Sequence, residues 1–355
     1  MRYTSLTGNK TDRLKYAFLL SFLLVSCRAR PEELPLADSL ITEEDTAETL
    51  PGFNITSADE GKVLTYGSKV YYRYGPSIMK YEDGSMDMWI SSPGNSSTQW
   101  DWIRYRHSNN GTDWSQEKIV LKPTYDSKDQ CSVCDPSVFF YDGYYYLGYT
   151  ATNYYKGNGT NNMAFVCRSK NPDGPYEKWN GNGWGGNPEP IISYDEDPNG
   201  WGVGELSFVI KDQELYIYFT YADMTGTYTE MCKADLNENW PNSIRDRTRV
   251  FPRENHDSLD VAYDDKLNLF FGFNMDLMMS ESSRLSLYIS SDGIDFQETD
   301  STKDFIEEYS HSLGVSKSPE GHICSDKELL IGYAYGQKWG RWDQKMQHFK
   351  INIEE

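Results

Sequence analysis

Positive charge is scarce in this chain. Only 34 Lys and Arg accompany 54 Asp and Glu, a formal net charge of −20 over 355 residues. A nucleic-acid binder needs a basic footprint that displaces phosphate counterions, and adhesion to an anionic membrane by charge needs the same, so both are excluded. A membrane-spanning length of apolar sequence is missing as well. The run at 16–26 (YAFLLSFLLVS) is too short to cross a bilayer comfortably. Cys131 and Cys134 form a C-x-x-C with no second such pair to complete a zinc site. No stretch of acidic ligands has the spacing that would demand calcium. Helical periodicity between the strand-like segments is also lacking.

Aromatic residues and turn formers are abundant. Rings make up 15% of the chain, with 27 Tyr and 10 Trp, beside 28 Gly. That balance suits many short strands better than long helices, and it supplies rings for both a core and a binding surface.

The N-terminal residues read as an export signal. Arg2, Lys10, Arg13 and Lys15 precede the apolar run, which ends in Leu24-Val25-Ser26-Cys27. That tetrapeptide resembles a bacterial lipobox, in which the cysteine becomes the lipidated N-terminus; the alternative is an ordinary secretory signal with a chance cysteine. Residues 28–57 are acidic, proline-containing and non-periodic, and read as a disordered tether. The expected organisation is therefore a lipoprotein signal peptide at 1–27, a tether at 28–57 and one domain at 58–355. Cys27 aside, five cysteines remain, an odd number that cannot all pair. Cys131 and Cys134 are either bridged or free.

Five segments share one grammar of a short first strand, a tight turn, an aromatic strand and a third strand. They are YGPSIMKYEDGSMDMWISS (74–92), CDPSVFFYDGYYYLGYT (134–150), GELSFVIKDQELYIYFT (204–220), LDVAYDDKLNLFFGF (259–273) and GHICSDKELLIGYAYG (321–336). Glu82-Asp83-Gly84 and Tyr141-Asp142-Gly143 are hairpin turns, because Asp-Gly tolerates positive φ. Aligned on the turns, Gly75, Asp135, Glu205 and Asp260 fall in register at spacings of 60, 70 and 55 residues. Recurrence at that period without helices predicts an all-β fold, a five-bladed β-propeller, in preference to a sandwich. The stretch at 61–67 (GKVLTYG) is the expected strand that closes the ring.

Cys134-Asp135-Pro136-Ser137-Val138-Phe139, followed by Gly143-Tyr144-Tyr145-Tyr146-Leu147, resembles the D-P-S-V-F … G-x-Y-Y-L segment of five-bladed propeller glycoside hydrolases of families 43, 32 and 117 and their relatives. Gly204-Glu205-Leu206-Ser207-Phe208 resembles the blade that carries their acid. The resemblance spans about residues 60–355. It implies carboxylates at the starts of the inner strands, converging on an axial pocket where one protonates a glycosidic oxygen and another assists attack from the opposite side. On that basis Glu205 is the expected general acid, Asp135 a supporting carboxylate and Asp260 a third catalytic residue. Where these families carry an Asp before Pro in the first repeat, this chain has Gly75-Pro76, so the base must come from elsewhere: Asp260, the loop Asp195-Glu196-Asp197, His311 or His322. Arg73, Tyr74, Trp201, His322 and Trp339 are the expected substrate-binding residues, the indoles as platforms for the apolar face of a sugar. No cofactor is implied, although the resemblance leaves a structural calcium at the axis open.

The expected partner is an oligosaccharide or polysaccharide, bound at a bacterial cell envelope with membrane contact only through the N-terminal lipid. The expected function is glycoside hydrolysis. The alternative is a non-catalytic glycan-binding lipoprotein, which Gly75 favours. A glycan phosphorylase would need a phosphate-binding cluster, and Arg73, Arg104, Arg106 and His107 are scattered in the pattern.

Overall fold

The computed structural model describes residues 50–156, 159–251 and 257–354. The signal at 1–27, with Cys27, and the part of the tether up to residue 49 lie outside the described residues.

Among the described residues, twenty strands group into five four-stranded antiparallel units, the blades of a β-propeller. Blade one is Tyr74–Lys80, Met86–Ser96, Gln99–Ser108 and Lys118–Leu121. Blade two is Ser132–Tyr141, Tyr144–Thr152, Met163–Ser169 and Glu177–Lys178. Blade three is Gly202–Lys211, Glu214–Ala222, Thr227–Asp235 and Arg245–Arg249. Blade four is Asp260–Asp264, Leu269–Asp276, Arg284–Ser290 and Gln297–Thr302. Blade five is Ser310–Lys317, Leu329–Tyr335 and Asp343–Ile353, completed by Phe53–Ser57 from the start of the domain.

Side chains alternate along a strand, and here both faces are covered. Ile78 packs toward blade five and Met79 toward blade two; Val138 faces blade one and Phe139 blade three; Phe208 and Val209, then Val261 and Ala262, divide in the same way. Five apolar clusters result, one at each junction between neighbouring blades, and the fifth joins blade five back to blade one. Tyr141-Asp142-Gly143 turns as expected, with φ of 46° at Asp142 and 79° at Gly143.

Two sequence expectations are corrected at the seam. Residues 53–57, assigned to the tether, form the outer strand of blade five, where Phe53 is fully buried. The expected closing stretch contributes Lys62–Thr65, which pairs with the other end of Asp343–Ile353. The first strand of blade five is Ser310–Lys317 rather than the stretch at 321–324. His322–Ile323 instead forms a two-residue strand parallel to the first strand of blade four.

Candidate active site

The first strands of four blades break register at the same place, between Tyr74 and Ser77, Cys134 and Ser137, Gly204 and Ser207, and His311 and Gly314. Each bulge puts one residue at positive φ: Gly75 at 55°, Asp135 at 48°, Glu205 at 52° and Ser312 at 47°. In blade four Ser258, at 59°, plays this part just before the strand begins. A bulge re-aims a side chain, and positive φ is costly for any residue but glycine, so the four bulges and the Ser258 position concentrate strained geometry at the starts of the first strands.

Hydrogen bonds between blades hold the bulges. The backbone N–H groups of Asp135, Glu205 and Ser258 donate to the hydroxyls of Ser91, Thr150 and Thr220 on the preceding blade, at 2.8, 2.8 and 2.9 Å. Three residues further on, Val138, Val261 and Val315 donate to Ser77, Ser207 and Asp260, again on the preceding blade, at 3.0, 2.9 and 2.8 Å.

This wiring corrects the placement of Asp260. It is equivalent to Ser77 and Ser207, two residues past the bulge, and not to Asp135. Its carboxylate also accepts from Lys317 Nζ at 2.5 Å, with both side chains largely buried. Asp260 therefore lines, together with Asp135 and Glu205, a narrow axial space of about 30 Å³, but it does not line the larger cleft that these two carboxylates also border.

That cleft has a volume of about 480 Å³ and is lined by Asp101, Asp135, Glu205 and Asp257 together with Tyr72, Tyr74, Trp100, Trp201, His311, Trp339 and Trp342. Asp101 comes from the third strand of blade one. It accepts from Tyr72 Oη at 2.6 Å and Ser132 Oγ at 2.8 Å, while burial pushes its carboxyl upward. Asp257 immediately precedes Ser258 and accepts from Thr220 Oγ1 at 3.3 Å.

Burial raises Glu205 well above the ordinary carboxylate range, and the charge of Asp257 and a hydrogen bond shared with it raise it further. Its Oε2 is buried and has no hydrogen-bond partner among the described residues. Burial also pushes Asp135 up to about 7, opposed by hydrogen bonds from the Cys134 thiol (3.3 Å) and the Thr150 hydroxyl. A Cβ at Gly75 would stand 3.4 Å from Asp135 Oδ1, so the Asp135 carboxylate borders the space that glycine leaves open in blade one. His311 is held neutral, lowered to about 4 by burial, and neither ring nitrogen has a partner among the described residues.

The structure thus brings Glu205, Asp135, Tyr74, Trp201 and Trp339 of the expected residues to one cleft. It does not bring Arg73 or His322 there. Arg73 makes a bidentate pair with Glu117 at 2.9 and 2.6 Å, and Arg104 and Arg106 gather on the same carboxylate. These arginines do converge, despite their scatter in the sequence, but none of them lines the cleft. His322 lies between Asp265, at 2.8 Å, and the Ile210 carbonyl. The five described cysteines are all free thiols.

Sequence reasoning missed Asp101 and Asp257. A usable signal was the apolar residue after each bulge, Pro76, Pro136, Leu206, Leu259 and Leu313. It puts Ser258, not Asp260, in register and Asp257 at its shoulder. Asp101 lies on a third strand, where the repeat gives no hint.

No protein-family model matches the sequence, and no curated protein matches it. Solved structures do match. A family 117 glycoside hydrolase of the marine bacterium Zobellia galactanivorans is 15% identical with a TM-score of 0.61, over 86% of this chain and 92% of that one. The fold is that of β-propeller glycoside hydrolases. An endo-arabinase of Bacteroides thetaiotaomicron gives 16% identity and a TM-score of 0.53, over 83% and 99%. The catalytic domain of a family 62 α-L-arabinofuranosidase of Coprinopsis cinerea gives 13% and 0.57, over 84% and 98%.

Proposed function

We propose that this protein is an exported glycoside hydrolase acting on an oligosaccharide or polysaccharide. The observation that carries the reading is the meeting of Glu205, Asp135 and Asp257 in one ring-walled cleft. Glu205, kept protonated by burial and by Asp257, is the general acid that passes its proton to the leaving glycosidic oxygen. Asp135, titrating near neutral pH, is the carboxylate that assists attack at the anomeric carbon, either by taking a proton from water or by direct bonding. Two carboxyl groups in these unequal environments are what the chemistry requires. Asp257 holds the proton on Glu205. The propeller fold shared with an endo-arabinase and an α-L-arabinofuranosidase supports the same reading. The signal at 1–27 and Cys27 support a lipid-anchored location at a bacterial cell envelope.

The test is a panel of aryl glycosides and oligosaccharides with wild type and Glu205→Gln. The expected result is turnover by wild type and a loss of about 10²-fold or more in the variant on unactivated substrates, with glycan binding retained. Gly75 favours a second reading, a non-catalytic glycan-binding protein. Binding without turnover in the wild type selects it.

A further inference from the structure

A ladder of rings leads out of the cleft. His311 and Tyr74 lie deep in it, at 4.4 and 5.7 Å from Trp342 between ring centres. Trp342 meets Tyr72 at 5.4 Å and Trp339 at 5.0 Å. Trp342 is 5% exposed, whereas Trp339 at the end of the ladder is 80% exposed. Its indole thus offers a flat apolar face at the end of a ring ladder that starts in the cleft.

The segment that packs against Arg341 and Trp342 is held in strain. Tyr71 has φ 70° and ψ −69°, and the N–H of Tyr72 donates to the carbonyl of Val70 at 3.0 Å, which together make a γ-turn of the disfavoured hand. A tyrosine is a poor choice there, since glycine takes the same conformation without a Cβ penalty. The surroundings enforce it. Arg73, fixed by Glu117, donates to the carbonyls of Val70 and Tyr72 at 3.2 and 2.6 Å. From the other side, the N–H of Trp342 donates to the Tyr71 carbonyl at 3.0 Å, and the Arg341 guanidinium stacks 4.1 Å from the centre of the Tyr71 ring. The outcome is a phenol ring 54% exposed, next in sequence to the cleft residue Tyr72 but not itself lining the cleft.

We propose that Tyr71, Arg341 and Trp339 form an outer subsite that holds a sugar unit beyond the one in the cleft, so that the preferred ligand is a chain of two or more units. Trp339 takes the apolar face of that unit, and Arg341, oriented by stacking on Tyr71, donates to its hydroxyls. The strain at Tyr71 maintains a platform that an unstrained glycine would not provide. The proposal rests on the reading of the cleft as a glycan site, but not on that site's being catalytic.

The experiment uses full-length Glu205→Gln as the binding form. Arabino-, xylo- and cello-oligosaccharides of one to six units are titrated, with tryptophan fluorescence and calorimetry as readouts. For at least one series, affinity rises about tenfold or more between one and three units. Adding Tyr71→Gly or Trp339→Ala reduces that rise to less than about threefold, while Tyr71→Phe keeps it. Tyr71→Gly also raises the melting temperature by about 2 °C, because it relieves the turn. An undiminished length dependence in both Tyr71→Gly and Trp339→Ala overturns the proposal, as does equal affinity for one unit and for chains, or an absence of binding in every series. If wild type binds chains in this manner but turns over none of the panel, the subsite stands and the hydrolase assignment falls. If wild type cleaves aryl glycosides with no gain from length, the reverse holds.

Discussion

Asp135 and Glu205 occupy positions that work against their own charge. Each is enclosed, each sits at positive φ, and each has another carboxylate nearby. The consequence for stability has a definite sign. Asp135 has its pKa raised from 3.8 to about 7, so the folded state holds a proton that the unfolded chain releases. The stability from that proton is fully present below about pH 4 and is lost as pH rises through about 7. Asp135→Asn should therefore lose less melting temperature than wild type between pH 5 and pH 8, measured by thermal unfolding in both buffers. The same substitution should cut hydrolysis by about 10²-fold or more. In wild type the acid side of the pH–rate profile should fall away near 7, where Asp135 becomes protonated. The carboxylate character of these two positions was legible in the sequence. Their protonation was not, because it depends first on burial in the folded cleft and then on the charges of Asp101 and Asp257, which come from other segments of the chain.

At the level of the strand, the bulge is the unit that matters. One residue of each blade stands at positive φ there, and in blades two, three and four its backbone N–H is locked by a Ser or Thr hydroxyl of the preceding blade. The same wiring explains why Asp260 is structural. It substitutes for a serine in the interblade hydrogen bond to Val315 and, in addition, neutralises buried Lys317. Asp260→Ala should destabilise the protein by about 3–5 kcal/mol, since Lys317 is then left buried without a counter-charge. Pairing it with Lys317→Met should recover most of that loss, as chemical denaturation of the single and double variants would show. Turnover separates this from a catalytic role for Asp260, which predicts a double variant that regains stability but not activity. The strand pattern was readable apart from a shift of two residues in blade four and the first strand of blade five, which is Ser310–Lys317. Blade four joins its first two strands through the four residues 265–268 where blade two uses 142–143, so alignment on the turns displaces what precedes them by two.

The whole molecule depends on its closure. The junction of blades five and one has the smallest of the five apolar clusters, with Ile78, Met86, Met88 and Ile90 against Leu330 and Met346. It is supplemented by a short parallel pairing of Ser316 and Lys317 with Ile78 and Met79. Gly314 permits that contact, since a Cβ there would fall 1.7 Å from the Pro76 carbonyl oxygen. The outer strand of blade five comes from residues 53–57, and without it the strand Asp343–Ile353 loses its partner along Phe349–Ile353. A chain starting at residue 50 should fold like the full-length protein. A chain starting at residue 59 should be less stable by about 5 kcal/mol or more, from the loss of buried Phe53 and Ile55, and should aggregate through the bared edge. Thermal unfolding and size-exclusion chromatography of the two proteins distinguish these outcomes.

By itself the sequence determined the all-β class, the recurring blade, the Asp-Gly turn of blade two and the candidacy of Asp135 and Glu205. Those features are local: alternation of apolar side chains, turn chemistry and a motif carried on one strand. The tertiary structure decided the rest. It selected Asp257 and Asp101 over Asp260 for the cleft, set Arg73 and His322 outside it, and drew residues 53–57 into the last blade. The physical reason is that each depends on contacts between segments far apart in the chain, on hydrogen bonds from one blade to the next and on the closing of a ring.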